Sequence, residues 1–260
     1  MLDHGDLEIV VTSGCHNPDC RTTIVTMAAL PAETADEQMS PADAIEYWNT
    51  VSPTANGMLG GYPQISRVDL RGSANFLAKL RRQSATATNR KILSRGADCG
   101  AGIGRVTAGF LSKVCEVIDV VEPIQRFADA AKEAKMAGSG TVGNMYVKGL
   151  EDWDPEGPYD LIWNQWCLGH LTDQQLVAYF IRCKKAIADG GWVVVKENMS
   201  TNPNGEDMLD EVDSSITRTD GKFRYLFEEA GLRITRTELQ PGFPKGLFPV
   251  RFYALQPTLS

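Results

Sequence analysis

The segment DCGAGIGR, residues 98–105, constrains the fold of this chain more than any other part of its 260 residues. Glycine occupies every second position, at Gly100, Gly102 and Gly104, between an acidic and a basic residue. Glycine lets a backbone turn sharply and approach a ligand closely, because it has no Cβ. The segment stands between a candidate strand and a candidate helix. It therefore predicts a strand–loop–helix unit whose loop faces a ligand.

The spacing of these glycines and a second acid indicate the class of ligand. A dinucleotide loop usually reads G-x-G-x-x-G, whereas this one reads G-x-G-x-G, a form typical of S-adenosylmethionine sites. Glu122 ends the apolar run VIDVVE, 18 residues after Gly104. A spacing of roughly 20 residues is expected for an acid that binds two ribose hydroxyls. The pattern favours a nucleoside site, and a solvated acid that ends a strand is the alternative.

Apolar strands alternate with helices from about residue 91. Because helices separate most of the strands, the sheet should be mainly parallel and covered on both faces. The last two strands are joined by a Pro/Gly loop and should pair antiparallel. We expect an α/β fold, Rossmann-like and of the class I methyltransferase type, with seven strands and an antiparallel last strand. The strands are predicted near 92–98, 117–122, 144–148, 159–164, 191–196, 232–239 and 247–255, and the helices at 104–114, 124–136, 172–188 and 219–230.

Two further predictions concern the length of the first strand and the structure of the N-terminal third of the chain. The first strand, KILSRGAD, contains residues that suit a central strand poorly, so it should be short. Residues 1–40 lack periodicity and are predicted to be a poorly ordered extension before a domain spanning 41–260. Ser40 and Pro41 have the residue types of a helix start, and SANFLAKLRR predicts a second helix near 73–82. Residues 41–90 are therefore expected to form a helical preface to the domain.

Composition excludes several classes of partner. The net charge of −7 disfavours nucleic acid, since phosphate binding needs a basic surface. No signal peptide or bilayer-length apolar run is present, so we expect no membrane partner and a cytoplasmic location, with the nucleus as a second possibility. The six cysteines suit a reduced core. Cys15, His16 and Cys20 form half a metal motif without a second ligand pair, so no metal is expected.

Ligands of parallel sheets bind beyond the carboxyl ends of the strands, and the residues there carry the candidate chemistry. His170 is the only histidine in this set, although it could merely cap the next helix. Trp163 and Trp166 flank Gln165, so one should pack inside and the other face the cleft. Asp210 and Asp213 are three residues apart and would share one face of a helical turn, or simply form an exposed acidic face.

From about Tyr47 to Leu255 the chain resembles the protein N-terminal (α-N) methyltransferases, which methylate the free α-amine of X-Pro-Lys chain ends. The segments that carry the resemblance are YW at 47–48, GMLGGY at 57–62, DCGAGIGR at 98–105, IWNQWCLGHLTDQ at 162–174, KENM at 196–199 and LDEVDSS at 209–215. The glycine loop is widespread, whereas GMLGGY, the QW–GHLTDQ pair and D-x-x-D-S-S together are highly specific.

The resemblance implies roles for individual residues. His170 and Asp213 would lie closest to the reacting amine, and Arg105 would pair with the carboxylate of S-adenosylmethionine. Phe248 stands where the family has a channel tyrosine and lacks its hydroxyl. The implied cofactor residues are Gly100, Gly102, Arg105, Glu122, Leu150, Glu151 and Gln165. The implied peptide-channel residues, some of them in the helical preface, are Trp48, Leu59, Gly60, Trp166, Asn198, Asp210, Asp213, Ser215 and Phe248.

The chemistry of methyl transfer to an amine favours His170 as the base. An α-amine has a pKa near 8 and must lose a proton before it can attack. Transfer of that proton to an ordinary aspartate is uphill by roughly 5.5 kcal/mol, whereas histidine has an unperturbed pKa near 6.5. We expect Asp213 to hold the amine and His170 to receive the proton, directly or through water. Either residue could dominate if burial raises the pKa of the aspartate.

The sequence thus predicts a protein α-N-methyltransferase that uses S-adenosylmethionine, releases S-adenosylhomocysteine and acts on X-Pro-Lys N-termini, with X such as Ala, Pro or Ser. The resemblance implies ribosomal proteins among its partners. The alternatives are a methyltransferase for small amines or another protein site, a silent module that binds chain ends, and, least favoured, a dehydrogenase. The number of methyl groups added and the oligomeric state are left open.

Overall fold

The structure, a computed structural model, describes residues 33–83 and 92–258. Most of the predicted extension, residues 1–32, lies outside the described residues, and so does the half metal motif at Cys15, His16 and Cys20. The described residues from 35 onwards belong to one compact unit.

Seven strands form one sheet: β1 (Leu93–Cys99), β2 (Cys115–Val121), β3 (Thr141–Tyr146), β4 (Tyr159–Gln165), β5 (Ile187–Asn198), β8 (Leu232–Leu239) and β9 (Val250–Pro257). They lie side by side in the order β3-β2-β1-β4-β5-β9-β8. All neighbours pair in parallel except β9, which runs antiparallel to both β5 and β8. This confirms the predicted class I methyltransferase fold, including the antiparallel last strand.

Helices cover both faces of the sheet, and each face has its own apolar cluster. One cluster contains Trp153 and Phe180 with side chains of the helices at 173–186 and 220–229, and the other contains Phe76 and Trp163 with side chains of the helix at 66–83. The α-helices are α1 (Ala35–Gln38), α2 (Pro41–Thr50), α3 (Ala55–Met58), α4 (Ser66–Gln83), α5 (Arg105–Gly109), α6 (Gln125–Lys132), α7 (Asp173–Ala186) and α8 (Asp220–Glu229). Within the described ranges, no helix combines the length and apolarity needed to cross a bilayer.

Strand β1 is not short, contrary to the sequence prediction. It has seven residues, as many as β2 and β4. The carboxylate of Asp160 accepts hydrogen bonds from the backbone N–H groups of Ser94, at 2.7 Å, and Arg95, at 3.1 Å. A Cβ on Gly96 would lie 2.7 Å from the sulfur of Cys115, so the glycine allows close packing there. Long-range partners therefore compensate for the low strand propensity of this segment.

The acidic segment after β5 is a hairpin, so the prediction of a helical turn there is wrong. Strands β6 (Met208–Asp210) and β7 (Ser215–Thr217) pair antiparallel, and Asp210 faces Ser215 across the hairpin. Asp210 ends one strand and Asp213 lies in the turn. Their proximity comes from the hairpin turn and not from helical spacing.

The last residues of the predicted extension are ordered and pack on the domain. Asp36, in α1, accepts a hydrogen bond from the backbone N–H of Asp173 at 2.7 Å. The backbone N–H of Ser40 donates to Ser214 Oγ at 2.7 Å. Ser40 caps α2 and Pro41 is its first residue, as predicted. Residues 35–40 therefore pack against the domain that the sequence analysis begins at residue 41.

Candidate active site

The glycine loop connects β1 to α5 and is fixed to the end of β2. The backbone N–H groups of Gly100 and Ala101 both donate to Val121 O, at 2.9 and 3.1 Å. All three glycines have positive φ, which disfavours any side chain at these positions. A Cβ on Gly104 would lie 3.0 Å from Ala131, and one on Gly100 would collide with Cys167. Because of that collision, Gly100→Trp would disturb the fold as well as any ligand.

Glu122 follows β2 and faces the glycine loop. Its carboxylate accepts from the backbone N–H of Gly102 at 2.7 Å and from that of Ile124 at 2.9 Å. Burial raises the pKa of Glu122 to about 7, against the opposing effect of these two hydrogen bonds. The carboxylate lies at the pocket wall where the sequence predicts a ribose acceptor.

A cavity of about 1050 Å³, including its open mouth, lies beyond the carboxyl ends of β1, β2 and β4. Its walls are formed by residues that follow these strands and by residues of α2 and α3. Every predicted cofactor residue lines it, namely Gly100, Gly102, Arg105, Glu122, Leu150, Glu151 and Gln165. Trp48, Trp166 and His170 line it as well, so the predicted cofactor and amine regions share one cavity.

Arg105 and Gln165 meet at a buried carboxylate that the sequence analysis did not identify. Arg105 Nη1 donates to Asp69 Oδ2 at 2.6 Å, and Gln165 Nε2 donates to both oxygens of Asp69. Lys196 Nζ also pairs with Asp69, and both side chains are fully buried. Burial lowers the pKa of Lys196 to about 8 against the pull of Asp69. The Asp69 carboxylate is therefore the common anchor of two predicted cofactor residues.

His170 ends a 3₁₀ turn, Leu168–His170, that is held from both sides. Glu197 Oε1 accepts from the backbone N–H groups at the start of this turn, Cys167 at 2.8 Å and Leu168 at 3.0 Å. Trp48 Nε1 donates to His170 Nε2 at 3.0 Å, in the arrangement of a neutral imidazole. Burial lowers the pKa of His170 below its usual value, with Asp213 opposing the shift. His170 is thus available as a neutral base near pH 7.

The β6–β7 hairpin brings Asp210 and Asp213 near Tyr47, and Asp213 also near His170. Burial, and then the carboxylates of Asp213 and Asp210, raise the pKa of Tyr47, which neighbours Trp48 on α2. Ser214 has a φ of 51°, an uncommon conformation for a residue with a side chain. A Cβ on Gly169 would approach Ser215 Cβ to 3.3 Å, so the hairpin packs directly against the turn that carries His170.

The other predicted channel residues are distributed over three segments. Leu59 is buried, and Gly60 has a φ of 54° with open space where a Cβ would stand. Asn198 ends β5, and Phe248 is exposed before β9. That these residues contact the peptide remains a prediction.

The two tryptophans beside Gln165 divide as predicted. Trp163 is fully buried, and its Nε1 donates to Gln165 Oε1 at 3.1 Å. Trp166 lines the cavity, and its φ of 54° turns it away from the regular strand conformation. Its ring contacts Phe243 at a centroid distance of 6.3 Å. Strained backbone of this kind is commonly concentrated at functional sites.

Sequence reasoning missed the charged residues that hold these parts. Arg218 is fully buried and donates to the carbonyls of Leu168 and Leu171, on either side of His170. Arg182 donates to the carbonyls of Leu150 and Glu151 at the other wall. Charged residues directly after the apolar run VVV, at Lys196 and Glu197, were the one available signal. The others gave none, because an isolated arginine or aspartate resembles an ordinary surface residue.

The residues present fit a nucleoside with a charged amino-acid end. Gly102 brings backbone close to the cavity, Glu122 offers a carboxylate for hydroxyl groups, and Arg105 offers a cation for a carboxylate. Across 33–83 and 92–258, no group of three or more metal-binding side chains occurs. The fold and this site define a class I S-adenosylmethionine-dependent methyltransferase.

Comparison with known proteins gives the family. Residues 36–256 match the AdoMet dependent proline di-methyltransferases, and the chain belongs to this family. It is 44% identical over 228 residues to the alpha N-terminal protein methyltransferase 1 of Schizosaccharomyces pombe, covering 86% of this chain and 100% of that one. It is 38% identical over 222 residues to the N-terminal Xaa-Pro-Lys N-methyltransferase 1 of Mus musculus, covering 85% and 97%.

Solved structures agree with the fold. A SAM-dependent methyltransferase of Leishmania major, 36% identical, superposes with a TM-score of 0.74 over 83% of this chain and 82% of that one. A Burkholderia thailandensis 1,6-didemethyltoxoflavin-N1-methyltransferase bound to S-adenosylhomocysteine, 18% identical, gives a TM-score of 0.62 over 89% and 94% and supports the fold alone.

Glu122→Ala is expected to raise the Kd for S-adenosylhomocysteine by about 10- to 100-fold, as hydrogen bonds to a charged group contribute roughly 1.5–3 kcal/mol. The substitution also leaves the N–H groups of Gly102 and Ile124 without their acceptor. Titration calorimetry measures the Kd, with Glu116→Ala, an exposed position on the strand that Glu122 follows, as the control. An unchanged Kd in a folded Glu122→Ala protein would show that this carboxylate only orders the loop.

Proposed function

We propose that this enzyme transfers methyl groups from S-adenosylmethionine to the free α-amine of protein N-termini that read X-Pro-Lys. The cofactor supplies a methyl group on a sulfonium, so the protein must supply a neutral amine in line with that group. The names of the S. pombe and mouse relatives support the substrate class, and the resemblance stated above extends it to X such as Ala, Pro or Ser.

One observation carries this proposal: two buried polar atoms around the amine region have no hydrogen-bond partner among the described residues. They are Asp213 Oδ1 and Trp166 Nε1. Buried polar groups without partners are rare, because each costs about 1–3 kcal/mol. An ammonium or amine has donors for the carboxylate, and a peptide carbonyl is an acceptor for the indole. A chain end therefore satisfies what the protein alone leaves unpaired.

The two candidate catalytic residues differ in what they can do for the amine. The Asp213 carboxylate attracts the ammonium form and fixes its orientation, which favours binding and opposes proton loss. His170 is neutral, and a neutral imidazole can accept the proton. Its Nε2 is occupied by the indole N–H of Trp48, so proton transfer to Nε2 requires Trp48 to shift when the peptide binds. We assign amine binding to Asp213 and proton acceptance to His170.

A Ser-Pro-Lys peptide is expected to be methylated by the enzyme with S-adenosylmethionine. The same peptide with an acetylated N-terminus should gain no methyl group, because its amide nitrogen is not nucleophilic. Replacement of the third residue by Glu should reduce turnover by about 100-fold or more. The negative charge of this glutamate is repelled by Asp210 and Asp213, and the repulsion opposes binding of the peptide. Mass spectrometry of each peptide measures the outcome and counts the methyl groups added.

Three results would contradict the proposal, each in a different way. Methylation of free lysine side chains in the acetylated peptide would indicate another protein site. Comparable turnover of the Glu-substituted peptide would remove the assigned role of the acidic hairpin. Methylation of small amines, with no activity on peptides, would favour the alternative substrate class.

Cellular targets and location extend the same proposal. We propose ribosomal proteins with X-Pro-Lys N-termini as partners and a cytoplasmic location, with the nucleus as a second compartment. Support comes from the family resemblance stated above. N-terminal proteomics of cells lacking the gene, together with imaging of a tagged protein, tests both.

A further inference from the structure

A buried carboxylate, Asp69, lies behind the cofactor cavity and is not used by the reaction described above. It stands in the first turn of α4, and its side chain is fully buried. A buried carboxylate is costly unless it is paired and hydrogen-bonded. Its partners therefore show what it is placed to hold.

Both oxygens of Asp69 are directed at residues of the cavity wall. Oδ2 accepts from Arg105 Nη1 at 2.6 Å and from Gln165 Nε2 at 3.0 Å, while Oδ1 accepts from the same amide at 2.9 Å. The guanidinium and the amide are thus fixed relative to each other by one carboxylate. Among the described residues, Arg105 Nη2 and Nε donate no hydrogen bond, which leaves one edge of the fork for a ligand.

Lys196 fixes Asp69 in turn. Its Nζ contacts Asp69 Oδ1, Asp69 O at 3.1 Å and Ser73 Oγ at 3.1 Å, so all three ammonium donors have acceptors. Because the positive charge of Lys196 compensates the negative charge of Asp69, the carboxylate orients Arg105 without cancelling the charge of the guanidinium. The Asp98 carboxylate, which also interacts with Arg105, accepts a hydrogen bond from Thr107 Oγ1.

We propose that Asp69, held by Lys196, is a positioning residue that presets Arg105 and Gln165 for the amino-acid end of the cofactor. The inference rests on the proposed assignment of Arg105 and Gln165 to that ligand. A role in stability alone explains the arrangement less well, because a buried ion pair is often no more stabilising than apolar residues of the same size. A purely stabilising role would also not require Arg105 and Gln165, whose side chains line the cavity, to donate to the same carboxylate.

The test compares two ligands that share the adenosine part. S-adenosylhomocysteine carries the amino-acid end and 5′-methylthioadenosine lacks it. Asp69→Asn keeps the shape but loses the charge that orients Arg105, so the affinity for S-adenosylhomocysteine should fall about 10- to 100-fold. The affinity for 5′-methylthioadenosine should change less than about twofold, as the adenosine contacts are untouched. Titration calorimetry measures both.

Asp119→Asn is the matched control. Asp119 is also fully buried and pairs with an arginine, Arg95, at 2.6 Å, but Arg95, unlike Arg105, does not line the cavity. It should leave the ratio of the two affinities unchanged. Equal loss of both affinities in Asp69→Asn, or no loss, would overturn the inference.

A second variant and a reference keep the outcomes separate. If Asp69→Asn does not fold because Lys196 loses its partner, the double variant Asp69→Asn with Lys196→Met removes both charges and is judged by the same ratio. Arg105→Ala serves as the reference. If Arg105→Ala leaves the ratio unchanged, the proposed cofactor assignment fails. If Arg105→Ala changes the ratio and the Asp69 variants do not, only the positioning role of Asp69 fails.

Discussion

Asp213→Asn is expected to lower kcat/KM for a Ser-Pro-Lys peptide by about 100-fold or more, since removing one member of a buried charged pair costs roughly 2–5 kcal/mol. The variant keeps the shape of the side chain and removes the charge that holds the ammonium. Both the peptide KM and the turnover should suffer, while the Kd for S-adenosylhomocysteine should stay unchanged. Steady-state kinetics and calorimetry measure these quantities separately.

The hairpin itself offers a control for this result. Glu211 lies between the two aspartates, is exposed, and has no assigned role, so Glu211→Gln should keep the activity of the wild type. If Glu211→Gln and Asp213→Asn lose activity equally, the effect is one of general negative charge near the channel. Rising ionic strength would then weaken it, because exposed charges are screened.

His170→Ala should lower turnover at pH 7 by about 100- to 10,000-fold, the usual range for loss of a general base, with a smaller effect on peptide binding. Activity should recover in part as the pH rises, because more of the amine is then already neutral. His170→Gln is the matched variant: its amide oxygen can still accept from Trp48 Nε1, but it is no base at these pH values. We expect it to be as impaired as the alanine variant.

Two outcomes would change the assignment of roles. Wild-type turnover in His170→Gln would mean that the histidine only anchors Trp48. Wild-type turnover in His170→Ala at neutral pH, together with loss in Asp213→Asn, would make the aspartate the base.

The sequence by itself determined the parts of this protein that depend on local patterns. Apolar runs that are buried on both faces predicted the parallel strands, and the glycine spacing with Glu122 predicted the cofactor side of the cavity. The specific motifs gave the family, which the comparisons confirmed. These signals lie within short stretches of chain, so they can be read before the chain is folded.

Only the tertiary structure decided the parts that depend on partners far apart in the sequence. The full length of β1 depends on Asp160. The packing of residues 35–40 on the domain depends on Ser214 and Asp173. The hairpin strands have three residues each, too few to show a period. Trp48 meets His170 across 122 positions, and Asp69 meets Lys196 across 127. A charged side chain has the same identity in solvent and in a buried network, and only the folded chain distinguishes the two.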